Sequence, residues 1–226
     1  MPRKCKNGTD DCSVGPAMTR AECTQAMETG IALALDAKAQ GADILLTGEM
    51  GIGNTTTACA VASVLLGRDP AALVGRGSGL SNAAFLKNSG AATRPLPEIT
   101  RTRRTRGGPG QRGGAGLSRP LWPVSGGAFV RLPVLLDGFI ADAAALCAVR
   151  LCPAAGDALL ASHVSAEPGP RRSWRGWACR HLSAPACAWG GQEAVMALPL
   201  LDMALAATHS GHTFGALGID AYTPQH

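Results

Sequence analysis

Two long stretches of this 226-residue chain, residues 101–127 and 169–192, contain no acidic residue at all. They also hold ten of its 21 lysines and arginines and all four tryptophans, Trp122, Trp174, Trp177 and Trp189. Outside them the balance is 11 basic to 16 acidic residues, so the formal charge of +5 belongs to the two stretches and not to the body of the chain. That distribution argues against a nucleic-acid-binding domain, whose basic residues would line one folded face. Aromatic residues make up only 4%, which disfavours an aromatic-rich β-sandwich. The eight cysteines include no C-x-x-C pair, so no zinc pattern is present. No apolar run approaches the roughly 18 residues of a membrane span, and no membrane partner is expected. Pro2 to Asp11 is polar and charged, unlike a signal peptide, which points to a reducing cytoplasm and to free cysteines.

What the chain does have is 46% hydrophobic residues, rich in alanine and glycine, enough for one core of helices packed closely on a sheet. Residues 1–14 are expected to be a disordered start, and 15–226 a single α/β domain with irregular inserts at 101–127 and 169–192. Thr19 and Glu22 form a capping box that opens a helix to about Gln40, and Gly41 closes it. Residues 43–47, 132–136 and 157–162 read as buried strands. Helices are expected over the small-residue run from Thr57 to near Gly67, over 140–151, and over 193–207, the last with Pro199 inside. Cys59 and Cys147 sit in apolar helical runs and read as buried small hydrophobes. His209 and His212 have a spacing that suits a metal, but no third ligand lies nearby.

The organising stretch is residues 48–56, Gly-Glu-Met-Gly-Ile-Gly-Asn-Thr-Thr, between the apolar run Ile44-Leu45-Leu46 and a helix of small residues. A strand, a glycine-rich turn and a helix N-terminus together present backbone N–H groups to an anion. Gly51 and Gly53 let the backbone approach a ligand, while Asn54, Thr55 and Thr56 either cap the helix or bond phosphate oxygens. A P-loop would need lysine where Asn54 stands, and a dinucleotide fingerprint would need glycine where Thr56 stands. A second glycine-rich loop, Gly75-Arg76-Gly77, suits another phosphate or carboxylate contact, or a plain linker. Loops beginning at Gly48, Asp137 and His163 all follow strands, where open α/β sheets bind ligands.

The nonamer resembles the signature of the nicotinate-nucleotide:dimethylbenzimidazole phosphoribosyltransferase family. Three further blocks agree in order: residues 15–19 (Gly-Pro-Ala-Met-Thr), 135–140 (Leu-Leu-Asp-Gly-Phe-Ile) and 165–169 (Ser-Ala-Glu-Pro-Gly). The resemblance implies an open, mostly parallel Rossmann-like sheet flanked by helices, with the family's smaller helical domain largely missing. It implies transfer of phosphoribose from nicotinate mononucleotide to 5,6-dimethylbenzimidazole, no cofactor, and a homodimer. Glu49 then matches a carboxylate acting on the ribose or the incoming base, against the plainer reading of a helix cap. Gly51, Gly53, Asn54, Thr55 and Thr56 would hold phosphate or ribose. Gly75, Arg76 and Gly77 would line the nucleotide site, as would Ser165, Ala166 and Glu167. Glu167 and Asp137 have two readings each, a bond to ribose hydroxyls or a buried structural carboxylate. The family's other catalytic carboxylate falls at Gly190, which leaves Glu193 as the nearest acid.

The stretches 101–127 and 169–192 do not resemble the family. An RNA-binding reading of their arginines competes with another origin. One nucleotide of register shift in a GC-rich gene turns Leu-Gly and Leu-Ala codons into the tryptophan codon TGG. It also turns Ala/Leu-rich helices into Arg, Pro and Gly. Two compensated shifts account for both stretches, which are expected to be loops. A nucleotide-binding remnant without turnover is the other functional alternative.

Overall fold

The computed structural model describes residues 10, 17–48, 54–69, 72–73, 124, 126–163, 180–181, 193–209, 211 and 218. Helix α1 (Arg20–Ala39) begins at the expected capping box: Thr19 Oγ1 accepts from the Glu22 N–H at 3.2 Å, and Glu22 Oε2 accepts from the Thr19 N–H at 2.7 Å. It ends in a Schellman turn, with Gly41 in the left-handed region at φ 86° and its N–H on the Lys38 carbonyl. Strand β1 (Leu45–Leu46) follows, and helix α2 (Asn54–Leu66) ends in the same way at Gly67.

Strand β2 (Val134–Leu136) leads into α3 (Phe139–Leu151), and β3 (Leu159–Ala161) follows a 3₁₀ segment at Pro153–Ala158. Asp157 and Ala158, expected in the strand, belong to that 3₁₀ segment, because Pro153 at its first turn fixes a helical φ and starts it. Strand β4 (Arg180–His181) and helix α4 (Glu193–His209) follow among the described residues. The four strands among the described residues lie in the order β1-β2-β3-β4, all parallel, with Leu45 opposite Val134, Val134 opposite Leu159 and Leu160 opposite Arg180.

Alternation along β2 explains how the helices are distributed. Val134 and Leu136 face a core built with α2 and α3 (Ala58, Cys59, Val61, Ala143, Ala144). Leu135 faces the other way, onto Ala194 and Ala197 of α4 with Leu46 and Leu160 alongside. All three β2 residues are buried, as befits an inner strand of a parallel sheet covered on both faces. Cys59 and Cys147 are buried thiols within this core, the Cys59 Sγ donating to the Leu73 carbonyl, and burial pushes the Cys147 thiol up to about 12. No helix among the described residues is long and apolar enough to cross a membrane.

Both unusual stretches contribute structure where loops were expected. At the end of the first, Val124 is fully buried and residues 126–130 are helical. A Cβ on Gly126 would lie 2.6 Å from the Gly30 carbonyl oxygen and 2.7 Å from Ala34 Cβ of α1. A Cβ on Gly127 would collide with Val134 Cγ2. The turn is glycine because α1 and β2 approach too closely for any side chain. Within the second stretch, Arg180–His181 pairs with β3, because parallel pairing uses backbone groups that any sequence supplies.

Candidate active site

The carboxyl ends of β1, β2 and β3 carry a run of buried polar residues: Thr47, Asp137, Ser162 and His163. Each follows its strand by one or two residues, so the parallel register sets them side by side. The Thr47 N–H donates to the Leu135 carbonyl (3.0 Å), and the Ser162 N–H to the Leu136 carbonyl (3.1 Å), extending the ladder past the strands. Side chains then bridge strand to strand. The Asp137 N–H donates to Thr47 Oγ1 (3.0 Å), and Ser162 Oγ donates to the Asp137 carbonyl (3.1 Å). Ser162 Oγ also lies 2.9 Å from His163 Nδ1.

Asp137 ties in the fourth element. Its Oδ1 accepts from the Ala194 N–H at 3.0 Å, in the first turn of α4, where backbone donors have no partner in their own helix. A carboxylate on that end is favoured by the helix dipole as well. Asp137 therefore holds α4 against the sheet edge, a task independent of any ligand.

Asp142, in the first turn of α3, was not singled out in the sequence. It is buried, and burial first, with the charge of Asp137 second, raises its carboxyl from 3.8 to about 8. Burial thus favours its neutral form well above the usual carboxylate range. Nothing in the local pattern Ile-Ala-Asp-Ala-Ala marks it, because the shift comes from the tertiary surroundings. Thr47 and Ser162 were likewise read only as strand residues, although polar side chains closing apolar strands were the available signal.

Of the residues proposed from sequence, Asn54, Thr55 and Thr56 form the first turn of α2, half-buried and with no acidic residue among them. The Thr57 hydroxyl donates back to the Asn54 carbonyl at 2.9 Å. The Thr55 and Thr56 hydroxyls bond no other described residue. Gly48 has open space where a Cβ would stand. Glu193 begins α4 beside Ala194. Glu49, Gly51, Gly53, Gly75, Arg76, Gly77, Ser165, Ala166 and Glu167 lie outside the described residues. Among the described residues no three His, Cys, Asp or Glu side chains gather as metal ligands, and His212 lies outside them.

This arrangement has known counterparts. A family model described as "Phosphoribosyltransferase" matches residues 1–219. The nicotinate-nucleotide–dimethylbenzimidazole phosphoribosyltransferase of Ruminiclostridium cellulolyticum is 37% identical over 231 residues, covering 98% of this chain and 64% of the relative. That of Roseiflexus castenholzii is 43% identical over 176 residues, covering 75% of this chain and 48% of the relative. The crystal structure of CobT from Thermus thermophilus superposes with a TM-score of 0.84 at 37% identity, covering 98% of this chain and 67% of that one. The chain therefore spans about 64% of the first of these relatives and has the fold of their solved member. With its four sequence blocks, its parallel sheet and a match over nearly its whole length, the chain belongs to the nicotinate-nucleotide:dimethylbenzimidazole phosphoribosyltransferase family.

Proposed function

We propose that the chain moves phosphoribose from nicotinate mononucleotide to 5,6-dimethylbenzimidazole, giving α-ribazole 5′-phosphate and nicotinate in cobalamin assembly. The observation that carries the proposal is the family match over residues 1–219, in a chain whose buried polar groups converge at the carboxyl edge of the sheet. The first turn of α2 offers backbone donors and the Thr55 and Thr56 hydroxyls to the 5′-phosphate, with the helix dipole adding to them. Gly51, Gly53 and Asn54 serve the same phosphate or its ribose, and Gly75, Arg76 and Gly77 line the nucleotide site. By their match to the family's blocks, Ser165, Ala166 and Glu167 are assigned to the nucleotide and Glu49 to the ribose or the incoming base, while Asp137 braces the sheet edge. Glu193, at the start of α4, is the carboxylate nearest the expected position of the general base.

Attack by the benzimidazole nitrogen on the anomeric carbon inverts it from β to α, as nicotinate leaves with the electron pair of the broken C–N bond. An enzyme gains rate here by binding the oxocarbenium-like state better than the ground state. The protein is proposed to act in the cytoplasm as a homodimer. The exposed apolar residues Val195, Met196 and Met203 of α4 support that association, being a surface that a second subunit would cover.

Calorimetry with nicotinate mononucleotide, run beside a product assay for α-ribazole phosphate, tests the proposal. Binding with product supports it; no product at saturating substrates overturns it. Gly190, standing where the family has a catalytic carboxylate, favours a second reading, a remnant that binds the mononucleotide without turnover. Binding without product would select that reading. Affinity for RNA that falls steeply with salt would instead indicate the arginine-rich stretches.

A further inference from the structure

A hydroxyl closes the apolar run of β1. Thr47 is only 3% exposed, and a buried hydroxyl is costly unless its hydrogen and a lone pair are both used. Both are used here. Thr47 Oγ1 donates to the Leu135 carbonyl (3.3 Å) and accepts from the Asp137 N–H (3.0 Å). The ladder between β1 and β2 shows what this replaces. The Leu45 N–H donates to the Pro133 carbonyl and the Thr47 N–H to the Leu135 carbonyl. The next rung of such a parallel pair would run from the Asp137 N–H to the Thr47 carbonyl. The Thr47 side chain takes that rung instead. The main chain of β1 is thereby released to begin the glycine-rich turn at Gly48, while the strand end stays tied to β2. Asp137 carries the tie onward, since its Oδ1 accepts from the Ala194 N–H (3.0 Å) in the first turn of α4. Two bonds on one buried residue thus link the strand that feeds the glycine-rich turn to the helix that opens at Glu193.

We propose that Thr47 is a positioning residue for the transfer: acting through Asp137, its hydroxyl fixes the start of the glycine-rich turn relative to the start of α4. This rests on the phosphoribosyl-transfer reading above, which gives the sugar phosphate to that turn and the general base to the approach to α4. Attack on the anomeric carbon needs donor and acceptor within near-attack distance, and a misplacement of about 1 Å costs about 100-fold in rate. Thr47 contributes no group to either substrate. It sets the spacing between the two elements that hold them.

The test compares Thr47→Val and Thr47→Ser in the full chain. Valine keeps the shape of the side chain but leaves the Asp137 N–H without its acceptor, whereas serine keeps the hydroxyl. For Thr47→Val, kcat is expected to fall about 10- to 100-fold, with KM for nicotinate mononucleotide within about threefold of the parent. Thr47→Ser should recover kcat to within about threefold. An unchanged kcat in the valine variant, or a loss that serine does not recover, overturns the proposal. Amide exchange gives a readout that needs no turnover. Saturating nicotinate mononucleotide should slow exchange of the Ala194 N–H about tenfold or more in the parent and less than about threefold in Thr47→Val. Equal slowing in the two chains overturns the proposal. So does an Ala194 amide that is not slowed in the parent when the mononucleotide binds, whether or not the valine variant folds. If calorimetry shows no binding of the mononucleotide to the parent, the phosphoribosyl-transfer reading itself fails and this one falls with it.

Discussion

Asp142 shows how a single buried side chain sets a pH dependence. Its folded carboxyl is raised to about 8, while the unfolded chain titrates near 3.8. Between those values the folded state keeps a proton that the unfolded state has released, so its contribution is fully present below about pH 4 and is lost as pH rises toward 8. Asp142→Asn removes that loss. Denaturant unfolding is expected to show the variant more stable by about 2–4 kcal/mol at pH 7, with the gain vanishing near pH 4. A gain that does not vary with pH would mean that the carboxyl is not the cause. Arg131 is a second single-residue case. It sits at φ 56°, in the Schellman position after residues 126–130, where α1 and α2 each have glycine. Arg131→Gly is expected to raise stability by about 0.5–1 kcal/mol, the relief of a left-handed side chain less the added freedom of the unfolded chain, and a lower melting temperature would contradict that.

At the scale of elements, capping chemistry was readable and close approach was not. Thr19, Glu22, Gly41 and Gly67 mark helix ends through local hydrogen bonds, so their meaning survives in a bare sequence. Gly126 and Gly127 lie in a stretch that looked foreign by composition, and only the packing of α1 and β2 shows why no side chain fits there. Gly126→Ala is expected to cost about 1–3 kcal/mol in chemical denaturation, because the obstructing atoms are backbone and a short side chain that cannot swing aside. The link from Asp137 to α4 was equally hidden, since the residues are 57 apart in sequence. Asp137→Ala should cost about 1.5–3 kcal/mol and speed hydrogen exchange at the start of α4, while Asp137→Asn, which keeps an acceptor, should recover much of the loss.

For the whole molecule, short apolar runs and the four family blocks made a parallel sheet with flanking helices legible. The polar edge of that sheet was legible only in part. Asp137 and the capping candidates Asn54, Thr55 and Thr56 stood at recognisable strand and helix ends, whereas Thr47, Ser162 and Asp142 depend on which strands become neighbours. A ligand that binds only the folded chain stabilises it by mass action. Nicotinate mononucleotide at 100 times its dissociation constant is therefore expected to add about 2.7 kcal/mol and raise the melting temperature, and an unmoved melting curve would count against binding at this edge.

The bridges at that edge join residues 90, 57 and 25 positions apart, all meeting at Asp137. Contacts between such distant parts of a chain form only after their loops have closed, and loop closure is what slows the folding of sheet proteins. The polar corner at Asp137 is thus assembled only once α4 has docked, so a partly folded copy lacks these bridges.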